Sequence, residues 1–190
     1  MIKQVRTLTT LLLLLLAAPL GLIAQGHKGQ VSGCAPMVDG KVCYQDDVEM
    51  NGKSDAMIYD AIQTWAKETY GKDLFISNMR TSQKNGTIRI TSRIELLLND
   101  TEKTVLKYHM NIQCFHHRYT IEVTKLEYLY NPENKDSKRK KYKKYSAEKI
   151  LANNGKGNTV PQIKDAELFC NATFFFVENL FSEVYDAVID

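Results

Sequence analysis

Three long runs in the middle of the chain alternate apolar and polar residues with a period of two. Ile88, Ile90, Ile94, Leu96 and Leu98 interleave with Thr87, Arg89, Thr91, Arg93 and Glu95. After a turn over Asn99 to Lys103, the residues Leu106, Tyr108, Met110, Ile112 and Cys114 alternate again. Tyr119, Ile121 and Val123 come next, and Leu126, Tyr128 and Tyr130 follow in the opposite phase. Successive strand side chains point to opposite faces, so these runs dictate an antiparallel sheet with one buried and one solvated face. The change of phase near Lys125 predicts a β-bulge. Asn85-Gly86 is a hairpin signal because both residues tolerate positive φ. His116-His117 fall where the next turn belongs.

Helical spacing appears on both sides of this block. Ser54 is placed to cap a helix, Asp55 suits its positive end, and Ile58, Ala61, Ile62 and Trp65 recur along one face up to Gly71. A second, longer helix over Lys164 to Ile189 carries Cys170, Phe174, Val177, Phe181, Val184 and Val188 as an apolar stripe. Lys41 to Met50 reads as a strand with Val42, Tyr44, Val48 and Met50 on one face. Leu74 to Arg80 is a weaker strand, and Ala147 to Leu151 a short helix ending near Gly155. The order β-α-β4-α predicts an α+β domain: an antiparallel sheet of about five strands with two main helices packed on one face.

The first residues read as an export signal. Lys3 and Arg6 precede an apolar run, Leu11 to Ile23, of about 13 residues, too short for the roughly 20 that cross a bilayer as a helix. Cleavage after Ala24 is expected, giving a signal peptide over residues 1–24, a polar leader over 25–37 and a single domain over 38–190. Val31-Ser32-Gly33-Cys34 resembles the sequence before a lipidated cysteine, but Gln25 to Gln30 separates it from the apolar run. The expected location is the periplasm or cell envelope, with lipid anchoring at Cys34 as the minority alternative.

Four cysteines in an oxidising compartment are read first as disulfides. Cys114 shares strand phase with the apolar residues, so it faces the helices. Cys170 lies on the helix stripe, so it faces the sheet. The expected pairs are therefore Cys114–Cys170 and Cys34–Cys43, with a reduced buried thiol pair as the alternative to the first. The cysteine spacings fit no zinc or redox motif. His109, His116 and His117 do not form a metal set either, because strand phase puts His109 opposite His116 and no carboxylate lies at ligand spacing.

Removing Lys3 and Arg6 with the signal peptide leaves 23 basic against 22 acidic residues. That near-neutral figure hides one basic loop over 131–145. Lys138, Arg139, Lys140, Lys141, Lys143 and Lys144 form a candidate anion-binding loop with Tyr142 and Tyr145 interleaved. Its plain alternative is a solvated connector. No nucleophile elbow is present, and Gly155-Lys156-Gly157 lacks the rest of a phosphate-loop pattern. No cofactor is expected.

Val38-Asp39-Gly40-Lys41-Val42, the helix from Ser54-Asp55-Ala56-Met57-Ile58-Tyr59 to Trp65-Ala66-Lys67-Glu68, and Tyr108 to Cys114 together carry a family likeness. Leu126-Glu127-Tyr128-Leu129-Tyr130 and Tyr145-Ser146-Ala147-Glu148 add to it. The chain resembles a domain-of-unknown-function family with a TBP-like fold (DUF4468), found in exported proteins of Bacteroidetes. The resemblance implies fold and compartment, and it brings no catalytic residues. A TBP-like fold shares its topology with DNA binders, but fold does not carry function, and the compartment argues against nucleic acid. The leading expectation is a non-enzymatic binding or interaction domain of the envelope, its partner an envelope protein, glycan or small ligand. An envelope hydrolase whose carboxylates converge only in space is the alternative, and an accessory subunit assembling through the outer sheet face is a third.

Overall fold

The computed structural model describes residues 35–73, 75–131, 142–152 and 155–190. The expected signal peptide, nearly all of the polar segment after it, Cys34 and the basic loop from 132 to 141 lie outside the described residues. Seven antiparallel strands form one sheet: β1 (Met37–Val38), β2 (Lys41–Glu49), β3 (Asn78–Ser82), β4 (Thr87–Leu97), β5 (Lys103–Phe115), β6 (Arg118–Tyr130) and β7 (Lys143–Ser146). The strand order is β1-β2-β6-β5-β4-β3, with β7 paired to β6. Among the described residues the helices are α1 (Asp55–Tyr70), α2 (Ala147–Leu151) and α3 (Ala166–Ile189). Among the described residues no helix is long and apolar enough to cross a membrane.

The α+β architecture agrees with the sequence reading, and the count rises from about five strands to seven through two short ones. β1 is closed onto β2 by Asp39 and Gly40, both at positive φ (49° and 73°). That is the two-residue hairpin that Asp-Gly favours. β7 grows from the end of what the sequence suggested was loop. It pairs with Glu127 to Tyr130 of β6, while β2 pairs with the other half of β6. The two short partners thus share one side of a 13-residue strand.

The bulge near Lys125 is present. Lys107 pairs with Glu127 and His109 with Thr124, so Lys125 and Leu126 together face Tyr108, and Lys125 takes a φ of 51°. The extra residue keeps Leu126, Tyr128 and Tyr130 on the same buried face as Tyr119, Ile121 and Val123. That face packs on α1 through Ile58 and Ile62 and on α3 through Val177, Val184 and Val188. Each such side chain removed from water stabilises by roughly 1.5–3 kcal/mol. Two pairs of buried hydroxyls hydrogen-bond in the core: Tyr70 with Tyr108 at 3.0 Å, and Tyr128 with Thr173 at 2.5 Å. Ile94 departs from the alternation and is 39% exposed. It lies past the last β3–β4 pair, Asn78–Thr91, where the edge of β4 has no strand beside it.

The turns follow their residues. Gly86 has φ 61°, and a Cβ there would meet the carbonyl oxygen of Cys114 at 2.4 Å, so glycine is required on both counts. Ser54 accepts the amide of Met57 and caps α1, as expected. His116 and His117 form the β5–β6 tip with φ of 51° and 58°.

Neither expected disulfide is formed. Cys43 and Cys114 are free and buried, while Cys170 is disulfide-bonded. The faces assigned to Cys114 and Cys170 are right, since both are buried between sheet and helix. Their positions along the fold are not. Phe169 and Thr173, which flank Cys170, touch Tyr128. Tyr128 pairs with Leu106, eight residues before Cys114 on β5, or about 27 Å away. At the other end of α3, the Val188 carbonyl accepts from Lys53, next to the hairpin tip that follows Cys114.

Candidate anion-binding face

Two of the concavities lined by described residues flank the sheet. One lies at the β5–β6 tip, a cleft of about 600 Å³ lined by residues including Glu49, Lys53, Met57, His116, His117 and Arg118. Several of its polar groups are engaged within the protein. The Asp55 carboxylate accepts the amides of His116 (3.1 Å) and His117 (2.8 Å). Those two hydrogen bonds, His117 first, hold its pKa below the ordinary carboxylate value. The His117 ring contacts the Lys53 carbonyl oxygen at 2.7 Å through Nδ1. That acceptor requires the proton on Nδ1. Arg118 is held by Asp47 (3.2 Å) and Glu49 (2.7 Å). The two histidines are the polar tip pair that the sequence suggested, stitched to the start of α1.

The other concavity belongs to the outer sheet face, the one that α1 and α3 leave open. It is a groove of about 360 Å³ floored by Thr91, Arg93, Lys107, Glu127 and Leu129. Phe75, 94% exposed, stands at one side and Lys144 of β7 at the other. Strand register decides what surrounds it. Arg93 lies directly opposite Lys107, and Arg89 directly opposite Arg80. Like charges facing each other across a ladder are destabilising, by up to about 1 kcal/mol per pair. Among the described residues Arg80, Arg89 and Lys107 have no carboxylate partner, and Arg93 donates to the carbonyl of Phe75 at 3.3 Å. Of the neighbouring acids, Glu95 pairs with Lys103 at 2.8 Å, and Glu127, which faces Lys107 across the β5–β6 ladder, pairs with Lys144 at 3.6 Å. The surplus charge on the β3–β5 part of the face is therefore positive.

Between the two cation pairs runs a polar row: Asn78, Thr91, His109 and Thr124 are cross-strand neighbours. Arg89 and Arg93 on β4, Lys107 on β5, and Glu122 and Lys125 on β6 are the charged groups around His109. Partial burial, then Lys125 and Lys107, push its pKa below the usual imidazole value. Beside Arg89, Asn111 has a buried Oδ1 with no hydrogen-bond partner. That orphan acceptor and the two opposed cation pairs are the polar demands on this face that the protein leaves unmet.

The sequence reading placed anion binding on the loop near residues 138–144. Lys138, Arg139, Lys140 and Lys141 lie outside the described residues. Lys143 and Lys144 are on β7, and Lys144 borders the groove. Arg80, Arg89, Arg93 and Lys107 escaped notice as site residues because each looks like an ordinary solvated position in its own strand. Only the pairing register brings them together. Burial drives the Cys114 thiol up to about 12, with Asp55 adding to it, and raises Cys43 together with Glu122, so neither thiol is a ready nucleophile. Among the described residues no three of His, Cys, Asp or Glu gather as metal ligands.

The family model described as a domain of unknown function (DUF4468) with TBP-like fold matches residues 44–129. A TBP-like protein from Parabacteroides distasonis is 56% identical to this chain, with a TM-score of 0.79. The match covers 83% of this chain and 98% of that one. This chain belongs to that family. A DUF4468 family protein from Bacteroides ovatus, 22% identical, shares the fold with a TM-score of 0.68, over 82% of this chain and 91% of that one. No curated protein matches. The DUF4468 region runs from within β2 to within β6, so it contains the Lys125 bulge and all four cations of the two opposed pairs. β7 and α3 lie beyond it.

Proposed function

We propose that this DUF4468 protein is an exported binding domain of the cell envelope that holds an anionic ligand on the outer face of its sheet and performs no chemistry on it. The observation that carries the reading is the pair of like-charge cross-strand contacts, Arg80–Arg89 and Arg93–Lys107. A fold that retains such contacts at a cost in stability has a use for the charge outside itself. Export is supported by residues 1–24, with Lys3 and Arg6 before the apolar run. The hydrolase alternative needs free carboxylates converging in a cleft, whereas those at the hairpin tip hold backbone amides or Arg118.

The test is retention from envelope extract. The immobilised protein should hold back anionic material that elutes as salt rises, because exposed charges are screened over about 10 Å at 0.1 M. The Arg89→Gln/Arg93→Gln variant should retain markedly less. Equal retention by the two proteins would remove the outer face from consideration.

A further inference from the structure

The two cation pairs do not form one pocket. Arg89 and Arg93 are four residues apart on β4, which places the pairs about 13 Å from each other. A single phosphate or small carboxylate engages one pair and leaves the other repelling itself. Satisfying both requires an extended ligand with repeated negative charge. The surface between them carries hydroxyl and amide groups: Asn78, Thr91 and Thr124. That composition matches a chain bearing many hydroxyls. It matches nucleic acid poorly, which is held on single strands by several aromatic platforms. Phe75 is the strongly exposed aromatic at the groove, a single apolar platform for a sugar ring at one end.

Resting on the binding function proposed above, we propose that the ligand is an acidic polysaccharide, a carboxylate-bearing glycan laid across β3, β4 and β5 so that its charges meet Arg80–Arg89 and Arg93–Lys107 in turn. Arginine suits this role because its planar fork binds carboxylate in two parallel hydrogen bonds.

The experiment is titration calorimetry of the full mature protein at low salt against polygalacturonate, galacturonate monomer, neutral dextran and single-stranded poly(dT). The polymer is expected to bind at least tenfold more tightly per charged unit than the monomer, and dextran not to bind. The Arg89→Gln/Arg93→Gln variant should lose at least tenfold in affinity for the polymer. It should also melt no lower than wild type, since the substitution removes two like-charge contacts. Equal binding of poly(dT) and polygalacturonate would overturn the assignment to glycans while leaving an anion-binding face in place. Undiminished polymer binding by a folded variant would overturn both. A lower melting temperature for the variant would show that the cations stabilise the fold, which contradicts the premise of unrelieved repulsion.

Discussion

Deletion of Lys125 is expected to abolish cooperative folding. Lys125 is the extra residue that lets both halves of β6 bury their apolar side chains on one face. Without it the register beyond Thr124 slips by one, and every later side chain changes face. Leu126, Tyr128 and Tyr130, now 1%, 0% and 6% exposed, would turn to solvent. Glu127 would turn into the core. Exposing three such side chains costs roughly 5–9 kcal/mol at about 1.5–3 kcal/mol each, and burying an unpaired carboxylate adds to it. A domain of ordinary stability, about 5–15 kcal/mol, does not survive that. Circular dichroism melting should show no sigmoidal transition. Lys125→Gly keeps the residue count and suits a φ of 51°, so it should melt close to wild type. A deletion variant that melts like wild type would mean that the bulge does not set the phase of β6.

The second large effect concerns the cysteines. Cys170→Ser should lower stability by about 2–4 kcal/mol by removing a cross-link that restricts the unfolded chain, whereas Cys43→Ala and Cys114→Ala break no bond. Peptide mapping without reduction is expected to return the Cys43 and Cys114 peptides free. Cys170 should appear linked to the remaining cysteine of the sequence, Cys34. A diacylglyceryl group on Cys34, or a Cys114–Cys170 peptide, would contradict this. Urea titration of the serine variant gives the magnitude.

These cases mark what a single sequence carries. Side-chain phase is local, so strand alternation, the bulge, the cap at Ser54 and the stripe on α3 could all be read from neighbouring residues. Even the faces of Cys114 and Cys170 were legible. How far Cys170 on α3 lies from Cys114 on β5 was not, because phase gives a face and says nothing of the offset between two packed elements. The outer face posed the same difficulty. Arg89 and Arg93 were plainly solvent-facing, yet their opposition to Arg80 and Lys107 depends on register. That register is set by the Gln83-to-Gly86 and Leu98-to-Glu102 connections. The Asp39-Gly40 hairpin, by contrast, was available in the dipeptide itself. β7 hid in a charged stretch because its pairing, not its composition, makes it a strand.

The most direct test of an anion-binding outer face is the titration of His109, followed by NMR of its imidazole with and without polygalacturonate. In the free protein its pKa is depressed, by burial and by Lys125 and Lys107. A carboxylate chain seated beside it favours the charged imidazole, so its pKa should rise in the complex. Affinity should then increase as pH falls through the complex's pKa and level off below that of the free protein. A His109 pKa that stays fixed while polymer binds would place the ligand elsewhere and contradict the account.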